Sequence, residues 1–310
     1  MKRQPRRVPS PRMSHHIVEL DDGHRVGVMV GGSGVPLVFL HGIALNTRVY
    51  MRFLSRLSAH GFRVIAIDAA AHGRTAPLPG KSFSASVDLV ARAMDALGVR
   101  RAVVVGHSMG GRATIELAAA CPDRVAAAVL LDAAAGDAFD ASAKKAFQSF
   151  ITLPVGVVGG LYDTTVDWWR CSDWRERRLY GISMAAALGR WGRRPQSLAG
   201  VMRAIAGSAP TQELLRQART SNVPFIVVHA ENDLVVPRHN AEATARHSNA
   251  KLHVVPRACH SWMIADPQRG ADTLGTLLSQ ELPKNLRRDA VSFLAPDALV
   301  TSLDAPARVS

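Results

Sequence analysis

The sequence predicts an α/β fold: a mostly parallel, eight-stranded sheet flanked by helices, with a helical cap inserted late in the chain. Three observations predict it. Short apolar runs alternate with segments of helical period from residue 36 to residue 131. That rhythm stops near residue 135 and resumes near residue 219. Within the first stretch, the run Val103-Val104-Val105-Gly106-His107-Ser108-Met109-Gly110-Gly111 carries an apolar strand into a small-x-Ser-x-small turn, and a helix-forming segment follows.

The elements follow in order. His16 to Leu20 and Arg25 to Val30 read as a hairpin around Asp21-Asp22-Gly23, because Asp-Gly between apolar runs favours a tight turn. Pro36 to Leu40 is a buried strand. Tyr50, Phe53, Leu54 and Leu57 recur at i, i+3, i+4 and i+7, one face of a helix. Phe62 to Ile67 is the next strand, and Val87, Val90, Ala91, Met94 and Leu97 mark another helix. Ala102 to Gly106 leads to a helix from Gly110 to Ala120, which ends ahead of Pro122. Ala126 to Leu131, Pro224 to His229 and Lys251 to Val255 complete the strands. Helices over Asn240 to His247 and Pro267 to Leu282 follow the last two.

These limits give a core of residues 16–134 and 219–282 and a cap of residues 135–218. They also give a loose basic tail over residues 1–15 and a peripheral tail over residues 283–310. The 310 residues are 47% hydrophobic, enough for one large core. Cys121, Cys171 and Cys259 are too few and too scattered for a disulfide framework or a zinc site, and they suit a reducing, cytoplasmic setting. The net charge of +13 comes mostly from scattered arginines with no nucleic-acid-binding pattern, so no nucleic-acid partner is expected. The basic first dozen residues lack the apolar run of a signal peptide, and Ile151 to Leu161 is too short to span a bilayer.

A serine at such a turn projects its hydroxyl above the sheet edge, with the positive end of the next helix behind it. His41-Gly42 follows the third strand, and Asp68 with His72-Gly73-Arg74-Thr75 follows the fourth. Asp233 follows the strand before it, and His260 follows the last. With the Gly106-to-Gly111 turn, this order of Ser, Asp and His resembles the α/β-hydrolase family over residues 16–282, specifically serine esterases and lipases with a helical cap. The resemblance implies Ser108 as nucleophile, His260 as base, Asp233 as the acid behind it, and an oxyanion hole from the backbone N–H groups of Ile43 and Met109. No cofactor or metal is implied. Glu231 and Asp132 remain competing acids. His41, His72 and His107 are read as organisers of loops, and Cys259 as a small buried residue.

The expected reaction is cleavage of a carboxylic ester of a small, apolar substrate through an acyl-enzyme. Carbon–carbon bond hydrolysis of a dioxo acid and a slow or non-catalytic receptor role are the alternatives. Relatives that open epoxides or remove halogens place Asp where Ser108 stands. Four tryptophans, Trp168, Trp169, Trp174 and Trp191, fall in the cap, and Trp262 follows His260. Trp168, Trp169 and Trp262 are candidates for the substrate pocket. The neighbouring arginines could instead bring the cap to a lipid surface.

Overall fold

A computed structural model describes residues 11–78, 82–148, 153–171, 173–193 and 195–303. Its centre is one sheet in the order β1-β2-β4-β3-β5-β6-β7-β8. The strands are β1 (Ser14–Glu19), β2 (Arg25–Gly31), β3 (Val35–Leu40), β4 (Phe62–Ile67), β5 (Ala102–His107), β6 (Val125–Leu131), β7 (Phe225–Ala230) and β8 (Leu252–Val255). β1 and β2 pair antiparallel, β2 meets β4 antiparallel, and every pairing from β4 to β8 is parallel. All eight strands lie where the apolar runs predict them.

The central strands are buried at every position because both faces of the sheet are covered, and all but His107 of their residues are apolar or glycine. Successive residues alternate between two cores. Val38, Leu40, Ile65 and Val104 face one, while Leu37, Phe39, Val64 and Val105 face the other. The helix α1 (Thr47–Ser58) covers the second core with Tyr50, Phe53, Leu54 and Leu57, the face its periodicity predicts. α2 (Phe83–Ala96) and α3 (Met109–Ala120) cover the first.

Among the described residues five helices separate β6 from β7: α4 (Asp137–Gln148), α5 (Leu153–Arg170), α6 (Trp174–Arg193), α7 (Pro195–Ala206) and α8 (Thr211–Thr220). The last is a core helix, since Leu214, Leu215 and Ala218 pack into the first core. Arg112 of α3, 1% exposed, ties the base of this region together through Asp140 at 2.7 Å, Thr211 at 2.9 Å and the Ala209 carbonyl. Beyond β7 come α9 (Arg238–Ser248), the short α10 (Trp262–Ala265) and α11 (Pro267–Glu281).

Both expected tails are shorter than the sequence suggests. Ser14 and His15 belong to β1, Met13 is buried, and the Ser55 hydroxyl donates to the Pro11 carbonyl at 2.7 Å. The first ten residues of the expected tail lie outside the described residues. At the other end Leu286, Phe293, Ala298 and Val300 are buried, Leu294 bridges to Val99, and the Arg63 guanidinium donates to the Val300 carbonyl. Short turns with no helical period bury these side chains, which is why periodicity fails to reveal them. Among the described residues no helix is long and apolar enough to cross a membrane.

The turn from β5 into α3 is possible only with glycine at two places. A Cβ on Gly106 would lie 2.1 Å from the Gly110 carbonyl oxygen, and one on Gly110 would lie 2.1 Å from that of Leu40. Both obstacles are backbone and cannot swing aside. Gly106→Ala and Gly110→Ala are each expected to lose about 1–3 kcal/mol of stability or more. Urea unfolding measures this, and midpoints equal to wild type would show that the turn is looser than described.

Candidate active site

Ser108 sits between β5 and α3 with φ 54° and ψ −119°. A non-glycine residue held there costs about 1–3 kcal/mol and persists only where surrounding packing enforces it. The enforcement is visible. The Ser108 N–H donates to the Leu131 carbonyl at 2.9 Å, and its own carbonyl accepts from Gly111 at 2.9 Å and from Ala134 at 2.9 Å. The strain lifts the side chain out at the carboxyl end of the parallel strands, where open α/β sheets place their ligands.

The loops after β7 and β8 bring Asp233 and His260 together. Asp233 is 4% exposed. One carboxylate oxygen accepts from the N–H groups of Val235 and Val236, each at 2.8 Å, and the other accepts from His260 Nδ1 at 2.7 Å. Burial works against the charge on Asp233, but the His260 ring and these donors overcome it and hold its pKa below the ordinary value. Burial likewise opposes a charged His260. The Asp233 carboxylate, helped by Asp132 and Asp163, outweighs it and raises the imidazole to about 9.

A chain of hydrogen bonds carries this placement to the front of the sheet. The Gly42 N–H donates to the Tyr50 hydroxyl at 3.2 Å, and that hydroxyl meets His107 Nδ1 at 2.7 Å. His107 Nε2 donates to the His260 carbonyl at 2.9 Å, and the two imidazole centroids lie 4.8 Å apart with the rings tilted by 46°. Full burial drives the His107 pKa down to about 3, so its ring is neutral and can both accept and donate. The bond between the Ser108 hydroxyl and His260 is not among those the described residues make. Catalytic bonds are often loose without substrate.

Of the three candidate acids, Asp233 alone bonds the His260 ring. Glu231 accepts from the Arg257 N–H at 2.6 Å on the surface. Asp132 is fully buried and accepts from the Ala230 N–H at 2.7 Å and from the Trp262 indole at 2.9 Å. Asp132, His229 and Asp233 offer three ligand atoms within 4.8 Å. Each carboxylate oxygen in that group is already hydrogen-bonded, so the donor set suits an internal cluster more than a metal. His229, 1% exposed, lies 3.5 Å from Asp132 and 3.9 Å from Asp233, and burial lowers its pKa.

Met109 directly follows Ser108 in the chain, and neither its N–H nor that of Ile43 makes a hydrogen bond among the described residues. His41 accepts from the Ala69 N–H at 2.9 Å, and His72 accepts from the Ala44 N–H at 3.2 Å, which pins the loop that carries Ile43. An apolar cavity of about 60 Å³ lies beside Met109, lined by Leu40, Phe83, Val90 and Val201 among others.

The candidate pocket tryptophans are placed differently from expectation. Trp262 is buried, with its indole held by Asp132, so it supports the site from behind. Trp169 is 64% exposed and Trp174 71%, so both face solvent. Trp168 is half-buried, packs edge-on against Trp169, and lies under the Arg177 guanidinium at 5.2 Å. The Trp191 side chain lies outside the described residues. Cys259 is buried and contacts Arg170 at 3.0 Å. Reading the sequence missed Tyr50, His229 and two cap acids, Asp163 and Asp167. Their signal was only the apolar face of α1 for Tyr50 and an i, i+4 acid pair on an apolar helix for Asp163 and Asp167, while His229 is one residue of an apolar strand with no signal of its own.

The sheet order, the strained serine and the acid–imidazole pair define a class. A family model described as alpha/beta hydrolase fold matches residues 35–267, and the chain belongs to that family. A Mycobacterium phage D29 protein carrying a non-heme haloperoxidase name is 38% identical over 277 residues, 88% of this chain and 98% of that protein. A non-heme haloperoxidase of Rhodococcus erythropolis is 30% identical over 260 residues, 78% of this chain and 92% of that one. Among solved structures, a thermophilic esterase from Thermogutta terrifontis superposes with a TM-score of 0.67 at 20% identity, covering 87% of this chain and all of that one.

The pair has a defined pH window. The contribution of Asp233 is complete above pH 3.8 and is lost as pH falls through its depressed folded value. That of His260 is complete below pH 6.5 and is lost as pH rises through about 9. Asp233→Asn removes the main support of the imidazolium while burial stays. The NMR titration midpoint of His260 is expected to fall to about 6.5 or below, and an unchanged midpoint would refute the assignment of its cause.

Proposed function

We propose that this protein is a serine hydrolase that cleaves carboxylic esters through an acyl-enzyme. The observation that carries the reading is the buried Asp233–His260 pair at 2.7 Å, fixed through His107 to the strained elbow that holds Ser108. Ser108 is the nucleophile. Its oxygen attacks the ester carbonyl while His260 Nε2 takes its proton, and Asp233 stabilises the imidazolium through Nδ1. The oxyanion is held by the N–H groups of Ile43 and Met109, donors worth roughly 3 kcal/mol each at the transition state. His260 then gives its proton to the leaving alcohol. A water, deprotonated by the same ring, releases the acid and restores Ser108.

The small apolar cavity beside Met109 supports a short acyl group. Because the base works only when neutral, and its pKa is raised, kcat/KM should climb with pH along a limb centred above the ordinary 6.5 of histidine. Ser108→Ala is expected to lose turnover of p-nitrophenyl acetate by a thousandfold or more and to lose fluorophosphonate labelling. Turnover equal to wild type would end the reading.

Relatives named haloperoxidase favour a second reading. Hydrogen peroxide would replace water at the acyl-enzyme, its oxygen bonding the acyl carbon as the Ser108 ester bond breaks, and a peracid would leave. The released peracid would oxidise added bromide to hypobromite and return to the carboxylic acid; bromination of an organic acceptor by the protein with peroxide, acetate and bromide, absent in Ser108→Ala, distinguishes it from simple ester hydrolysis.

The outer faces of α5 and α6 support contact with an anionic lipid surface. Leu161, Tyr162, Trp169, Trp174 and Ile182 are exposed there beside Arg170, Arg175 and Arg178. Sedimentation with phosphatidylglycerol vesicles should exceed that with phosphatidylcholine vesicles and should fall in Trp169→Ser with Trp174→Ser. Equal recovery with both lipids would exclude it.

A further inference from the structure

The face of α5 turned inward carries two buried acids one helical turn apart. Asp163 is 2% exposed and Asp167 1%. Spacing of i, i+4 puts both carboxylates on the same side of the helix. Asp163 accepts from the N–H of Leu234 at 3.2 Å, and Asp167 accepts from the N–H of Ser261 at 3.1 Å. Leu234 directly follows Asp233, and Ser261 directly follows His260. One cap helix thus grips both loops of the relay, each at the residue beside the functional side chain. The second oxygen of Asp163 is buried without a partner, and the Tyr180 hydroxyl of α6 is buried in the same state.

Simple loop anchoring does not need two acids. An N–H group is satisfied equally by an amide or a backbone carbonyl, and burying a carboxylate is costly. The site is also crowded with like charge. His260 is faced by Asp233 from the loop after β7, Asp132 from the end of β6, and Asp163 and Asp167 from α5. It is also faced by neutral His107 from β5 and by His229 from β7, and Arg170 of α5 lies on the Cys259 sulfur. The cation that forms on His260 during proton transfer is what so many acids can favour.

On the serine-hydrolase reading, we propose that Asp163 and Asp167 are positioning residues: they lock the Asp233 and His260 loops into one arrangement from the cap side, and their negative charge stabilises the imidazolium of His260. Docking of α5 and assembly of the relay are then a single event. Burial raises both acids, with Asp233 adding to it at Asp163 and Asp163 adding to it at Asp167, which reaches about 7. The support of Asp167 to His260 therefore weakens as pH falls through about 7.

Two substitutions at each position separate placement from charge. Asp163→Asn and Asp167→Asn keep an acceptor for the loop N–H and remove the charge. Asp163→Ala and Asp167→Ala remove both. The asparagine variants should fold as wild type and move the His260 NMR titration midpoint, and with it the acid limb of kcat/KM, to lower pH by roughly half a unit or more. The alanine variants should lose kcat tenfold or more with KM little changed, and asparagine should recover most of that loss. An unmoved midpoint in both asparagine variants would overturn the charge role. Unchanged kcat in folded alanine variants would overturn the placement role. If an alanine variant fails to fold, the asparagine pair decides. Absence of Ser108-dependent turnover in wild type counts against the serine-hydrolase reading instead, and the NMR midpoints still test the two acids.

Discussion

The bond from His260 Nδ1 to Asp233 joins two loops that approach each other only because β7 and β8 are neighbours in the sheet. It pairs two groups that burial would otherwise leave neutral, so each holds its charge only while the other does. Its neighbours are arranged to keep it in place. Two backbone N–H groups fix the acid, His107 fixes the backbone of the base, and the buried Asp132 with its bond to Trp262 closes the rear. A buried pair of this kind adds little net stability over an apolar substitute. Its cost makes sense if the charge separation has work to do, which fits a proton relay better than a structural clasp.

The second constraint is the elbow. Ser108 is held in a conformation that side chains avoid, and three backbone bonds with two glycines hold it there. The carbonyl of Ser108 binds Ala134 after β6, so the strain is distributed over β5, α3 and the start of the cap region. Gly42, Tyr50 and His107 then form one hydrogen-bonded line from the Ile43 loop to His260. The parts that would stabilise an oxyanion and the part that would move a proton share a rigid connection.

The helices between β6 and β7 are two-sided. α5 turns buried acids toward the Asp233 and His260 loops, and the outer faces of α5 and α6 display aromatic and cationic groups to solvent. Of the aromatic residues suggested for a pocket, Trp169 is exposed, Trp262 is buried against Asp132, and Trp168 is half-buried against the second core. Tryptophan content marks a cap helix well, but the direction of an indole depends on which face of the helix docks, and α5 docks with Asp163 and Asp167.

The eight strands, the elbow at Ser108 and the placement of His260 after the last strand were legible in the sequence, because each depends on local rules: apolar runs, glycine where backbone crowds, and the order of elements along the chain. Chain order with the family resemblance pointed to Asp233 as the partner of His260, but left Glu231 and Asp132 as competitors, since Asp132 and Asp233 both follow strands. The sheet chose by pairing β6 with β7 and β7 with β8, which turned Asp132 toward Trp262 and Asp233 toward the ring. Tyr50, His229, Asp163 and Asp167 were invisible for the same reason. Their roles rest on contacts between residues far apart in the chain, and such contacts exist only once the sheet has brought its loops to one edge.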